Sequence, residues 1–412
     1  MKRIAVFCAL PPERNTGMAT VDLAAFSLLR RIIPEAEISL YAFGQPTPIT
    51  YQPGELPYTY LNVELHRERY LSSDAFVFWG DFTHARSYWT TERAYWQTKL
   101  NILSEAQVPS WNSTQYAAAS QYIFLTSLPK PRLRSAVVFG STIITNEPTN
   151  QGTSTASDFD KLYYQHFTDF FTTIRAVYFR DALSAARISP LRGNEATLGC
   201  DCAFLLLDDD LQQIPGFTLA PERKGVGVFL GRSPSKTKMM LFARAVARLL
   251  GEPTSWIPWF LWYPDEQSYR IKAKALGFPL SPSDAKTGSI LSSLSGCKYV
   301  ITDTYHVCVN AWRMGIPTIC LGEGGGPLLT SHNDKKKEIL FDMYGAHQFY
   351  VFIDKWRSNG PIRATRLLWS DAKRAAAVLQ DRALVSQVCT TLDMHREMAE
   401  TRLKLAIQAA LG

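Results

Sequence analysis

RIAVFCALPPERNTGMATVDLAAFSLLRRIIPEAEISLYAF, residues 3–43, decides the fold. An apolar run, RIAVFCAL, gives way to a Pro/Gly/Asn loop, PPERNTGMAT. Then VDLAAFSLLRRII carries Leu23, Phe26 and Leu29/Leu30 at helical spacing, and AEISLYAF returns as a second apolar run. Strand, loop, helix and strand in that order make a βαβ unit, which demands a parallel sheet. Outward from it, DAFVFWG (74–80), SAVVFGS (135–141) and AVYFR (176–180) are short apolar runs separated by helical or loop stretches, as expected for strands covered on both faces.

At 412 residues the chain exceeds one ordinary core, so two domains with a cleft between them are expected. The pattern breaks at DDDLQQIPGFTLAPERKG (208–225), which opens on three aspartates and carries two prolines and two glycines. After it runs a second alternating series: GVGVFLG, KMMLFARAVARLL, SWIPWFLWY, QSYRIKAKALG, KYVITD, a histidine-led helix and PTICLG. The expected units are residues 1–215, residues 216–369, and a helical tail over 370–412, rich in Ala, Leu, Arg and Gln without proline. Ligands of such paired sheets bind at the carboxyl ends of the strands.

Apolar residues at 46% and charged residues at 20% fit a soluble globular protein. The formal charge of +7 comes from dispersed basic residues, which favours an anionic substrate without demanding nucleic acid. Seven cysteines lie mostly in apolar stretches with no CxxC pair; Cys200-Asp201-Cys202 has no matching partner, and no metal site is expected. No run of about 18 apolar residues exists, so no integral membrane segment and a cytoplasmic location are expected.

The chemistry concentrates where KYVITD meets HVCVNAWRMG, a helix of three turns ending at Gly315 ahead of Pro317. His306, Asn310 and Arg313 recur at i, i+4 and i+7, a polar stripe on an apolar rod. One reading makes His306 a helix-start residue bonded to a neighbouring carbonyl. The other uses the helix's amino end, where unpaired N–H groups attract phosphate or carboxylate; a bound dianion then keeps the imidazole protonated, a general acid only when loaded.

Read together, these stretches resemble the polysaccharide pyruvyltransferase family. ITD-TYH-VCVNAWRM-GIP-TICLG is similar to its strand, Arg-Leu-His-type turn, apolar helix and Gly-x-Pro strand. RNTGMATVDLAAFSLLRRIIPEAEISLYAFG resembles its opening loop and helix, SSDAFVFWGDF its next strand and turn, and AVYFRDALSAARISP with LGCDCAFLL its Arg-Asp-x-x-Ser block and later aspartate. GVGVFLGRSPS and NDKKKEILFDMYG match the start of its second half and its lysine-led helix. The resemblance implies an α/β fold of two facing Rossmann-like domains, GT-B-like, with a cleft between them and C-terminal closing helices. It also implies transfer of the carboxyvinyl group of phosphoenolpyruvate to a sugar hydroxyl of a glycan or glycan precursor, with no cofactor. His306 would donate the proton, and Arg232 and Arg180 would clamp the donor's anionic groups.

This chain departs from the pattern at two places. Thr304 stands where the family has arginine, so Arg313 or the Lys335–Lys337 run is left to supply a cation. Trp79-Gly80-Asp81-Phe82 replaces the glycine-rich turn, which makes Asp81 a candidate to orient or deprotonate the acceptor or else a helix cap. Tyr305, Asn310, Glu323, Gly324, Gly325 and Lys335, with Thr304, complete the expected donor side; Asn15, Thr16, Gly17 and Trp79 form the acceptor side. Trp256, Trp259 and Trp262 offer either a sugar-stacking platform or core packing. Two rival functions stay open: a glycosyltransferase using a nucleotide-sugar, with a glycan, small molecule or nucleic acid as acceptor, and a non-catalytic glycan-binding protein. Peripheral association with membranes carrying lipid-linked glycans is compatible with each.

Overall fold

The structure, a computed structural model, describes residues 1–9, 15–42, 51, 54–80, 84, 120–143, 158–193, 196–231, 236–259, 271, 273–275, 277–279, 286–324 and 334–412. The opening βαβ unit forms as read: β1 (Arg3–Cys8), α1 (Thr16–Ile32) and β2 (Glu37–Ala42), with β1 and β2 parallel and Val6 opposite Leu40. Around it β3 (Tyr60–Asn62), β4 (Ala75–Trp79), β5 (Ala136–Ser141), β6 (Ala176–Phe179) and β7 (Thr197–Leu198) complete a sheet in the order β3-β2-β1-β4-β5-β6-β7. Its helices include α2 (Asp158–Thr173) and α3 (Ala182–Arg192). Strands β4 and β5 are buried at every residue, which explains why they read as unbroken apolar runs.

A short helix, α4 (Asp208–Gln212), leads to the second lobe. There β8 (Val226–Phe229), β9 (Thr254–Trp256), β10 (Tyr299–Thr302), β11 (Thr318–Gly322) and β12 (Tyr350–Phe352) pair in parallel in the order β12-β11-β10-β8-β9. Its helices are α5 (Lys236–Leu250), α6 (Thr287–Ser295), α7 (Tyr305–Arg313), α8 (Lys335–Met343) and the short α9 (Asp354–Arg357). The chain steps one way across the sheet from β8 to β9 and the opposite way from β9 through β12. Right-handed crossovers therefore put α5 on one face and α6, α7 and α8 on the other.

The lobes are less separate than the sequence suggests. A 3-10 turn, Cys202–Leu205, is buried between α1 and α7 and joins both lobes in one continuous hydrophobic cluster. The tail divides. Helix α10 (Pro361–Gln380) starts before residue 370 and packs on α5, whereas α11 (Arg382–Leu411) returns to the first lobe, where Arg402 donates to Leu198 O at 3.1 Å. Of SWIPWFLWY only the first two residues belong to a described strand, Thr254–Trp256; Trp256 and Trp259 are buried in the core, and Trp262 lies outside the described residues.

Tyr51 and residues 54–60 strap one side of α1. Tyr51 and Tyr58 donate to the carbonyls of Asn15 and Ala19 at 2.8 and 2.9 Å, and Tyr60 to Asp22 Oδ2 at 2.6 Å. From the same strap the buried Glu55 crosses to the second lobe, where its Oε1 accepts from both the amide and the hydroxyl of Thr287, at 3.0 and 2.9 Å. A carboxylate from one lobe thus caps a helix of the other. Glu55→Ala should cost about 1.5–3 kcal/mol, the range for hydrogen bonds to a charged group, measured by urea denaturation; an unchanged midpoint would show that the cap contributes nothing.

His84 lies among Phe78, Phe170 and Phe171, with ring centroids 4.7, 5.0 and 5.2 Å away. Burial lowers its pKa from 6.5 to about 3. Below about pH 6.5 the unfolded chain therefore binds a proton that the folded one refuses, and stability is lost as pH falls from there toward 3, at up to about 1.4 kcal/mol per pH unit. Denaturation across that window should show the parent losing stability relative to His84→Phe; parallel curves would contradict this.

Candidate functional site

Helix α7 begins where β10 ends, at the carboxyl edge of the second sheet. Its N-cap, Thr304, makes no side-chain bond to the helix; the hydroxyl goes instead to Asp303 Oδ1 at 3.1 Å. The first-turn amides thus carry no side-chain cap, the condition under which a helix end attracts an anion. His306 occupies that turn, 7% exposed, and packs against the first turn of α1. A Cβ placed on Gly17 would come within 2.3 Å of His306 Cβ and 2.6 Å of Cγ. The imidazole thus lies where the two lobes meet.

Two features hold that meeting in register. Asn15 caps α1, accepting from the amides of Gly17 and Met18 at 3.0 and 3.3 Å. Asn310, fully buried, donates from Nδ2 to Thr20 Oγ1 at 3.0 Å and to His306 O at 2.9 Å, and the Thr20 hydroxyl donates to Gly17 O at 2.7 Å. Asn310 was expected among the donor contacts; its amide is committed to joining the lobes directly beneath His306.

Positive charge surrounds the neighbouring Tyr305. Arg180 Cζ lies 4.7 Å from the ring centroid and Lys336 Nζ 5.8 Å. Arg180 is itself buried and pairs with Asp201 Oδ2 at 3.2 Å, while Asp201 Oδ1 caps the 3-10 turn at Ala203 N. Of the three lysines at the start of α8, Lys335 pairs with Glu338 at 2.9 Å, and the half-buried Lys336 is the one beside Tyr305. Lys337 is buried, donating to Asp303 O, Leu321 O and Asp334 Oδ1 at 2.9, 3.1 and 2.6 Å. Burial pushes its ammonium pKa down, but Asp334, Cys320 and Asp303 outweigh burial and leave it raised. It fastens the ends of β10 and β11 behind α7, a role that one lysine in a run of three does not announce.

Other expected residues are placed elsewhere. Trp79 is fully buried, donates from Nε1 to Val21 O at 2.7 Å and stacks on Phe139, which withdraws it from any acceptor surface. Arg313 sits at the far end of α7, bonded to Leu206 O and Asp208 at 3.3 and 3.2 Å, eight residues from the turn it was expected to serve. Thr16 is buried in the first turn of α1. Glu323 pairs with Arg357, and its amide donates to Asp334 at 2.7 Å; Gly324 N donates to Asp354 at 2.6 Å, with no room for a Cβ beside Phe352. Asp81, Arg232 and Gly325 lie outside the described residues; Gly231, just before Arg232, donates its amide to Asp303 Oδ1 at 2.8 Å. Among the described residues no cluster could hold a metal ion, and the cysteines are unpaired with one another.

Two parallel-sheet lobes facing across the amino ends of α1 and α7 are the GT-B arrangement. A UDP-GlcNAc 2-epimerase from Neisseria meningitidis, bound to UDP-GlcNAc, shares it at TM-score 0.52 and 9% identity, covering 99% of this chain and 100% of that one. A Listeria monocytogenes protein classed as a UDP-N-acetylglucosamine 2-epimerase shares it at TM-score 0.53 and 12% identity, covering 99% and 96%. At such identities the likeness concerns the fold alone. Comparison with curated protein sequences gives no match. The sequence profile of the polysaccharide pyruvyl transferases matches residues 23–325, and the chain belongs to that family of transferases.

Gly17→Ala forces a methyl into the His306 side chain and should cost about 1–3 kcal/mol by overpacking. Urea denaturation measures it, and a variant as stable as the parent would show that the lobes do not meet at this contact.

Proposed function

We propose that the protein transfers a pyruvyl group from phosphoenolpyruvate to sugar hydroxyls of a glycan or glycan precursor, with His306 as the proton donor. The observation that carries this reading is the position of His306: on an uncapped helix end, against the opposite lobe, in a chain that belongs to the pyruvyl transferase family. The donor's phosphate or carboxylate would lie over the first-turn amides of α7, with Lys336 beside it and Arg232 supplying the guanidinium. Lys336 takes over the charge that Thr304, buried and bonded to Asp303, does not provide. Arg180, held by Asp201 and stacked on Tyr305, would orient the turn without itself touching the donor.

An anion so bound favours the imidazolium form of His306. The imidazolium gives its proton to the methylene carbon of phosphoenolpyruvate, and the adjoining carbon becomes cationic beside its oxygen. A sugar hydroxyl adds there and releases its proton to a base; Asp81 is the carboxylate candidate. Departure of phosphate and addition of a second hydroxyl of the same sugar close the ketal, with that hydroxyl's proton going to solvent or back to the imidazole. The burial of His306 where the lobes meet would limit access of water to the cationic centre.

A nucleotide-sugar glycosyl transfer is the second reading. It is favoured by the absence of a cation at Thr304 and by the UDP-GlcNAc in the Neisseria epimerase of the same fold. Thermal shifts separate the two, because a ligand that binds the native state raises its apparent stability. Phosphoenolpyruvate should stabilise the protein and UDP-sugars should not; stabilisation by UDP-sugars alone would end the pyruvyl reading. His306→Ala should keep the fold and lower phosphoenolpyruvate-dependent phosphate release at least about a hundredfold. Full turnover by that variant would remove His306 from the mechanism.

A further inference from the structure

The outer face of the second lobe, opposite the one that meets the first, combines charge and apolar surface in a way the transfer reaction does not use. Helices α5 and α10 pack side by side there and turn their solvent faces outward together. On α10, Ile362, Arg366, Trp369 and Lys373 recur at i, i+4, i+7 and i+11, with Ile362 73% and Trp369 42% exposed, and Arg363 and Arg374 exposed at the margin. On α5, Leu241 (47% exposed), Arg244 and Arg248 form the matching stripe, with Leu249 (38%) beside it. Six exposed cations thus lie among four exposed large apolar side chains. The sequence of α5 contains no acid, and the single acid of α10, Asp371, is buried and engaged by Lys355, Arg374 and Trp356 Nε1.

We propose that this α5–α10 face docks the protein on an anionic phospholipid surface. Cations near such a surface are attracted to its headgroups, about fivefold in binding for each, while Trp, Ile and Leu enter the boundary between headgroups and acyl chains. An acidic nucleic acid backbone would use the cations but gives no reason for exposed Ile362, Trp369 and Leu241 between them. Neither helix is long and apolar enough to cross a membrane, so the contact lies along the surface.

Orientation adds a consequence. Helix α5 follows β8 and α7 follows β10, so both begin at the carboxyl edge of the sheet, and α10 is reached from the same edge of β12 through α9. Ile362 and Arg363, in the first turn of α10, are therefore on the edge that holds His306. A glycan carried on a lipid would meet the site there. That last step rests on the pyruvyl reading; the docking does not.

Co-sedimentation of the full chain with phosphatidylcholine vesicles, with and without about 30% phosphatidylglycerol, tests docking without any activity assay. At low salt the protein should pellet with the anionic vesicles, bind the neutral ones far less, and be released by high salt. Arg363→Glu/Arg366→Glu should lower the partition at least about 25-fold, two cations at about fivefold each. Leu241→Ser/Trp369→Ser should weaken binding while keeping its salt dependence. Lys130→Glu/Arg134→Glu, an equal charge change on the first lobe, should leave it intact, and circular dichroism should show every variant folded. Failure to bind anionic vesicles at low salt overturns the proposal, as does equal loss in the first-lobe control. Tighter binding to a duplex DNA than to the vesicles, abolished by the same α10 substitutions, would also overturn it and assign the face to nucleic acid.

Discussion

Gly17 has no side chain, and the meeting of the two lobes depends on that absence. With 2.3 Å between a would-be Cβ and the Cβ of His306, any other residue would move α1 away from α7. The carboxyl edges of both sheets face each other through these two helix starts. One start is capped by its own asparagine and the other by no side chain of its own. The partial positive charge of the second thus meets no cap from its own N-cap side chain, while that of the first is already engaged.

Around this contact the buried charges are arranged to hold backbone and leave little over for chemistry. Arg180 with Asp201 and Lys337 with Asp334 beside it, and Asp371 with Lys355 on the far side of the second sheet, are each buried on at least one side and paired with a near neighbour. Burying a charge is costly unless it is paired and hydrogen-bonded, and each of these groups also bonds, through itself or its partner, to a further element: a 3-10 turn, two strand ends, a tryptophan. Lys336 and the imidazole of His306 are differently placed, at the rim of this network beside Tyr305. The basic and apolar outer face of α5 and α10 lies across the sheet from α7 and His306.

Much of the architecture was legible because fully buried parallel strands leave unbroken apolar runs. AVVFGS and AFVFW coincide with β5 and β4, and the run YVIT is β10 in full. Elements of two or three residues, β3, β7 and β12, left no such trace, because so short a strand shows neither alternation nor a run, whereas β9 overlaps the start of the run SWIPWFLWY. Of the site, His306 was readable from the change of strand into helix and from the order of the family's motifs. Lys336 was visible only as one of three lysines. Trp79 was expected as an acceptor contact because it stands where the family has a glycine-rich turn, but a strand's side chains alternate between faces, and its ring is turned into the core.

The sequence by itself determined the two parallel sheets, the succession of their longer strands and the placing of a histidine at a helix start, since local periodicity and turn chemistry suffice for each. Only the tertiary structure decided which polar residues are committed to other parts of the chain. Asn310 and Arg313 lie on one helix with His306 at regular spacing, yet one is spent on Thr20 of the opposite lobe and the other on the connection at Leu206 and Asp208. Periodicity tells which residues share a face of a helix. What that face meets depends on partners 105 to 290 positions away, and no local pattern encodes them.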